Sequence, residues 1–346
     1  MALPRRDTIL PTFFRLTGDI TMIKEIITLS EERNVTLTVY RLENSEEHQQ
    51  GLLRPMIIIC PGGGYSFLSD READPVALRY LSAGFHAAVL RYGICEYAAA
   101  PGPLRDIAGA VALAREKAAE WFVNPDNIYV SGFSAGAHVA CQLGVFWNNT
   151  ELLPEYAGRT ELIRPNGMIL TYPVIDLPKS ATHLDIGLGG REMDIEAVDF
   201  SQSHPKMPRS RYFVYDEAEG KYFVNFEIAM NAFIFDGEYT PEQEAFYSLQ
   251  NQVTEDTCPA FIWHCGDDGL ILPANSLELA SALSEHHVSV ELHIYAGGGH
   301  GISLADYVTA NDPYQYYTYA SDWMQKSVDW VLKQSGYEDV IRKRFS

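Results

Sequence analysis

Cations are scarce in this sequence: 26 Lys and Arg stand against 46 Asp and Glu, a formal net charge of −20. That balance repels phosphate backbones and anionic lipid headgroups, so neither a nucleic-acid nor a membrane-surface partner is expected. No stretch approaches the roughly 18 uninterrupted apolar residues that a membrane span needs. The opening MALPRRDTILPTFFRLTGDI carries an arginine pair but interrupts its apolar residues with Pro, Thr, Arg and Asp, so no signal-peptide core is read there. The five cysteines (Cys60, Cys95, Cys141, Cys258, Cys265) form no CxxC pair, which speaks against a disulfide framework or a zinc ribbon and makes a reducing cytoplasm the expected compartment. Also missing are a fixed-period repeat and a Gly/Ser or Pro-rich linker.

What is present is ample core material, 47% hydrophobic and 12% aromatic over 346 residues. A globular chain follows, and although the length admits two average domains, large α/β folds of this size run as one, so a single domain over 1–346 is expected. Apolar runs at Met56–Cys60, His86–Arg91, Ile128–Ser131, Gly167–Thr171, Ala260–His264 and Val290–Tyr295 read as buried strands. Between and after them, Leu104–Trp121, Ala135–Trp147, Ala274–His287 and Ser321–Lys333 have helical apolar spacing. Their alternation predicts an α/β fold, a mostly parallel central sheet flanked by helices. Lys24–Leu29 and Val35–Leu42 read as an antiparallel pair at one edge.

One connection breaks this rhythm. Between Tyr172 and Ala260 lie 87 residues, far beyond an ordinary βα loop. An insertion over 177–257, of the kind that serves as a lid or cap, is expected there. Its rings, Tyr212, Phe213, Tyr215, Tyr222, Phe223, Phe226, Phe233 and Phe235, suit either a small core of its own, an interface in a homo-oligomer, or contact with a ligand.

The segment Ile128–Val139, IYVSGFSAGAHV, runs an apolar strand into GxSxG and then into a helix start. A sharp strand-to-helix turn forces Ser134 into unfavourable φ/ψ and crowds neighbouring backbone, which glycine at both flanks relieves while the hydroxyl projects above the sheet. A serine hydroxyl needs a base to take its proton and a carboxylate to orient that base. Downstream, WHCGDDGLILP ends a strand in two adjacent aspartates, and the next strand ends in AGGGHG. Loops at the carboxyl ends of parallel strands are where catalytic groups collect. His300, free of any helix, is therefore the candidate base, with Asp268 or Asp267 as its acid. His138 lies four residues past the serine on a helix, where it serves core hydrogen bonds, and His264 sits in the strand beside the acid loop.

A site for developing negative charge completes the pattern. CPGGGYS at Cys60–Ser66 offers consecutive unobstructed amides, so Gly63 and Gly64, with the Ala135 amide, are the oxyanion candidates. Neither GxGxxG nor GxxxxGK[ST] fits this loop as a phosphate cradle. No HExxH or comparable spacing joins His293, His300 and the aspartates, so neither metal nor cofactor is expected.

These segments in this order resemble the α/β-hydrolase superfamily from Met56 to the C-terminal helix. PGGGY resembles the HGGG element of hormone-sensitive-lipase-like esterases with proline in place of the leading histidine. PGGGY, NPDNIYVSGFSAGAHVA, the YPV segment and VTEDTCPAFIWHCGDD are similar to segments of bacterial acetyl-xylan-esterase-like proteins of the BD-FAE group. The resemblance implies an eight-stranded core, a Ser134, Asp268, His300 triad and hydrolysis of short acyl esters, often acetyl groups on carbohydrate. In two respects this chain departs from that group. Asp268 is followed by Gly269, Leu270, Ile271 and Leu272 before Pro273, where the group has two residues and then valine-proline; counting from Trp263 favours Asp268 and leaves Asp267 as the alternative. The aromatic insertion is the second departure. An acyl-ester serine hydrolase acting on a small-molecule or carbohydrate ester is thus expected. An amide hydrolase on the same triad, such as an arylformamidase or prolyl-type peptidase, and a non-catalytic ligand-binding protein on the same fold are the alternatives.

Overall fold

The computed structural model describes residues 22–44, 51–189, 194–198, 200 and 203–337; the opening stretch read above for a signal peptide lies outside the described residues. Two antiparallel strands, β1 (Met22–Ser30) and β2 (Val35–Leu42), lead into β3 (Arg54–Cys60), α1 (Asp74–Ser82), β4 (His86–Arg91), α2 (Gly102–Glu116), α3 (Ala118–Trp121), β5 (Val123–Phe133), α4 (Ala135–Phe146) and β6 (Gly167–Thr171). After an insertion come β10 (Ala260–Cys265), α7 (Ala274–Glu285), β11 (Val290–Tyr295) and α8 (Trp323–Gln334). The insertion itself holds β7 (His183–Gly189), β8 (Phe213–Asp216), β9 (Lys221–Asn225), α5 (Phe226–Ile234) and α6 (Pro241–Tyr247).

The main sheet has eight strands in the order β1-β2-β4-β3-β5-β6-β10-β11. β1 and β2 pair antiparallel with each other and β2 antiparallel with β4, whereas every pairing from β4 across to β11 is parallel. Strand alternation divides the core in two. Met56, Ile58 and Cys60 face one layer with α2, α4 and α7, while Ile57 and Ile59 face the other with α1 and α8. The expected single helix at Leu104–Trp121 is two, α2 and α3, and α1 was not read from the sequence at all. Among the described residues, no helix is long and apolar enough to cross a membrane.

The sheet order also fixes where a ligand belongs. From β3 the chain steps to β4 on one side and then to β5 on the other, and in open parallel sheets the crevice at such a reversal, outside the carboxyl ends, is where ligands bind. The PGGGY loop leaves β3 and Ser134 leaves β5 at that crevice.

The insertion builds its own three-stranded antiparallel sheet, in the order β7-β9-β8. Its rings divide between two destinations. Tyr212 and Phe213 join Met207, Val224, Ala229 and Ala232 in a separate small core, with Tyr222 packed against it, whereas Phe226 and Phe233 belong to the main core.

Candidate active site

Ser134 sits at φ +52°, ψ −120°, an uncommon conformation for a non-glycine residue that costs about 1–3 kcal/mol and persists only where the surroundings impose it. The surroundings are two close backbone approaches. A Cβ at Gly136 would fall 2.1 Å from the carbonyl oxygen of Cys60, and one at Gly132 would fall 2.2 Å from that of Gly136, so both flanking positions admit only glycine. The Ser134 amide is spent on the carbonyl of Thr171 at 3.0 Å, which ties the turn to β6. Its hydroxyl is left facing the crevice.

His300 meets that hydroxyl. Its Nε2 lies 2.9 Å from Ser134 Oγ and its Nδ1 2.7 Å from Asp268 Oδ2. A carboxylate only accepts, so Nδ1 carries the proton and the Nε2 lone pair faces the serine. Asp268 is sealed from solvent, and its second oxygen accepts from the amides of Leu270 and Ile271, each at 3.0 Å. Burial alone would raise its pKa; the electrostatic interaction with His300 and a hydrogen bond from His264 outweigh that and hold it well below the ordinary carboxylate value.

The two aspartates left open by the sequence have different jobs. Asp267 Oδ1 accepts from the amide of Gly299 at 2.9 Å and so clamps the backbone that carries His300, while Asp268 faces the ring. Around His300, Gly298, Gly299 and Gly301 all have positive φ, so they fix a loop shape that other residues resist. His264 stands behind the acid, with Nε2 3.1 Å from Asp268 Oδ2 and Nδ1 2.8 Å from Ser276 Oγ. His138 is elsewhere occupied: Nδ1 accepts from Tyr65 at 2.7 Å, Nε2 donates to the Tyr247 carbonyl at 2.9 Å, and burial lowers its pKa to about 4.

Opposite the histidine lies the glycine loop, and the directions of its amides follow from its carbonyls. In a trans peptide, C=O and N–H point opposite ways. The Gly62 carbonyl accepts from Ser69 N at 2.9 Å, so the Gly63 amide points away from Ser69. The Gly63 carbonyl accepts from Ser66 N and Phe67 N, at 3.1 and 3.2 Å, which likewise turns the Gly64 amide outward. Neither amide has an acceptor among the described residues. Ala135 opens α4, where the first amides have no intrahelical partner and the helix dipole is positive.

Residues that the sequence did not single out complete the site. A Cβ at Gly62 would lie 3.0 Å from Ser134 Cβ and 2.8 Å from Glu72 Oε2, so this glycine permits the loop to close on the nucleophile. Glu72 and Tyr172 stand behind it. Only the run of three glycines signalled that something must approach closely; nothing marks Glu72 among the charges of SDREADP. Among the described residues, no cluster of three or more His, Cys, Asp or Glu is arranged to hold a metal ion.

A strained serine between two obligate glycines, on a parallel sheet of this order, gives the chain the α/β-hydrolase fold, which it shares with solved structures of that class. Within it, residues 42–188 match the BD-FAE family. Over 296 residues the chain is 27% identical to endo-1,4-β-xylanase B of Butyrivibrio fibrisolvens, covering 84% of this chain and 39% of that one. It is 24% identical over 293 residues to an acetylxylan esterase of Xylanibacter ruminicola, covering 83% and 47%. The chain thus spans less than half the length of these two relatives. Among solved structures, the carboxylesterase Cest-2923 of Lactobacillus plantarum superposes with a TM-score of 0.69 at 25% identity, covering 92% of this chain and 98% of that one. The acetyl ester-xyloside bifunctional hydrolase of Caldicellulosiruptor lactoaceticus superposes with a TM-score of 0.62 at 27% identity, covering 88% and 89%.

Proposed function

We propose that this chain is a serine hydrolase of short acyl esters, acetyl esters of carbohydrate being the leading class, with Ser134 as nucleophile, His300 as general base and then acid, and Asp268 as the group that holds the imidazole. The observation that carries this reading is the continuous path from Ser134 Oγ through His300 to Asp268, at 2.9 and 2.7 Å. In acylation, Ser134 Oγ attacks the ester carbonyl carbon while its proton passes to His300 Nε2. The carbonyl oxygen becomes an oxyanion, held by the amides of Gly63, Gly64 and Ala135. Collapse expels the alcohol, which takes the proton from His300. Water then attacks the acyl-serine with the same base, releasing the acid and restoring the hydroxyl. Every proton in this cycle moves between groups of the chain, substrate and water.

The acetyl and carbohydrate assignment is supported by the relatives, an acetylxylan esterase and an acetyl ester-xyloside hydrolase among them. The insertion at 177–257 acts as a cap over the crevice within one hydrolase domain, and Phe226 is its point of contact: a Cβ at Gly64 would meet that ring at 3.0 Å. Binding without catalysis is disfavoured because all three members of the relay are in place.

A fluorophosphonate probe tests the reading. Its mass is expected on the peptide containing Ser134 and is expected to vanish in Ser134→Ala; labelling that survives that substitution refutes the assignment. A panel of nitrophenyl acetate, acetylated xylo-oligosaccharides, N-formylkynurenine and dipeptide anilides then fixes the leaving group, and a preference for either amide overturns the ester assignment.

A further inference from the structure

A buried carboxylate that the relay does not use lies just behind the nucleophile. Glu72 is 3% exposed. Its Oε2 accepts from the Gly62 amide at 2.8 Å and its Oε1 from the Tyr172 hydroxyl at 2.5 Å. The same hydroxyl accepts from the Ser303 amide at 3.0 Å, three residues beyond His300. Ser303 in turn donates from its own hydroxyl to the Arg71 carbonyl at 2.7 Å, and its carbonyl accepts from Trp323 Nε1 at 3.0 Å. The Tyr172 ring stands edge-on to the His300 ring, centroids 4.9 Å apart. One carboxylate therefore grips the oxyanion loop directly and the histidine loop through a single phenol.

Rigidity follows from the atoms held. With the Gly62 amide bound to Glu72 and its carbonyl bound to Ser69, both peptide planes flanking Gly62 are fixed, and so is the direction of the Gly63 amide. Burial, together with the Glu72 carboxylate, keeps the Tyr172 phenol protonated, so it remains a donor toward Glu72. Electrostatics alone argues against such a group here, because a negative charge this near a forming oxyanion raises its energy. The two effects have opposite signs.

We propose that Glu72 is a positioning residue for acyl transfer, one that sets the oxyanion loop and the His300 loop at a fixed separation through Gly62 and through Tyr172. This rests on the serine-hydrolase reading above and extends it to residues outside the relay. Removing the charge while keeping the shape then slows the reaction, where a purely electrostatic role would speed it.

The experiment compares wild type, Glu72→Gln and Tyr172→Phe, each with active sites counted by fluorophosphonate titration and folding followed by thermal melting. Per titrated site, Glu72→Gln is expected to lower kcat on the order of ten- to a hundredfold, less than deleting an oxyanion donor outright, with KM changed less than about twofold. Affinity for a trifluoromethyl ketone, which forms an oxyanion on Ser134, falls in parallel. Tyr172→Phe leaves the Gly62 contact intact and is expected to lower kcat by a smaller factor with most of the ketone affinity retained. Unchanged or faster turnover per titrated site in Glu72→Gln overturns the proposal, as does a loss confined to melting temperature and to the number of titratable sites. Wild type that fails to label at Ser134 overturns the functional reading instead, so the two failures are told apart.

Discussion

At the strand-end rim, the proposed reacting groups sit on backbone tightly constrained by close approaches and positive φ. Ser134 lies between glycines that a methyl group would drive into carbonyl oxygens, and His300 rides a loop in which three of the four glycines, Gly298, Gly299 and Gly301, have positive φ. The insertion between β6 and β10 is built differently. It has its own sheet and a small core around Tyr212 and Phe213, and it reaches the glycine loop through Phe226. Chemistry demands sub-ångström placement and so constrains local sequence. The insertion needs only to bury its own rings, which many sequences can do. Substitutions on the two sides of Phe226 should therefore fail in different ways, one losing rate and the other losing stability or selectivity.

The largest expected effect lies at the rim. Ser134→Ala should reduce kcat/KM for nitrophenyl acetate by about 10⁴-fold or more with an unchanged melting temperature, since it removes the nucleophile and relieves no packing. Retention of a tenth of the activity would mean that the rim is not where the chemistry occurs. Next is the contrast between neighbours. Asp268→Asn should cost about 10³- to 10⁴-fold in kcat because the imidazole loses the acceptor that fixes its tautomer, whereas Asp267→Asn, which keeps an oxygen for the Gly299 amide, should cost less than about tenfold. Equal losses would erase the division of labour between the two carboxylates.

This contrast also marks how far the sequence could be read. GxSxG between a strand and a helix, three glycines after the first buried strand, and a histidine among glycines after the last are each local patterns with one mechanical meaning, and from short windows they pointed to Ser134 and His300, which the fold brings within 2.9 Å, and to the Gly63 and Gly64 loop after β3. Two adjacent aspartates did not separate, because which one faces the ring depends on a loop closing over Leu270 and Ile271. Glu72 and Tyr172 were invisible because they lie 100 residues apart and each is unremarkable alone; only the folded sheet, with β5 between β3 and β6, brings Tyr172 at the end of β6 to the loop after β3. Ring content in the insertion carried no directional information. The separation of Tyr212 and Phe213 from Phe226 is set by pairing of β8 with β9 and by where α5 begins.

Phe226 tests the seam between the regions. It is 6% exposed, so Phe226→Ala should destabilise the protein by about 3 kcal/mol, the low end for a buried aromatic, measured by denaturant unfolding. Space opened above Gly64 should also narrow the preference for acetyl over butyryl esters. Destabilisation without any change in acyl preference would remove the insertion from the substrate pocket.

The smallest effect belongs to Glu227 in the insertion. Burial, then the nearby carboxylates of Glu244 and Asp176, push the Glu227 pKa up to about 8. For an acid whose folded pKa is raised, the protonated form is the one the fold prefers. Its contribution is intact below the unfolded value of about 4.3 and is lost as pH climbs toward 8, after which the loss levels off. Glu227→Gln, neutral throughout, should therefore melt like wild type at pH 4.5 and above it by a few degrees at pH 8.5. Discounted for partial exposure, that is roughly 1 kcal/mol. A stabilisation of the same size at both pH values would assign the gain to packing rather than charge. A shift in the pH profile of kcat would instead join the acidic cluster around Glu227 to the rim, and the two regions would no longer behave independently.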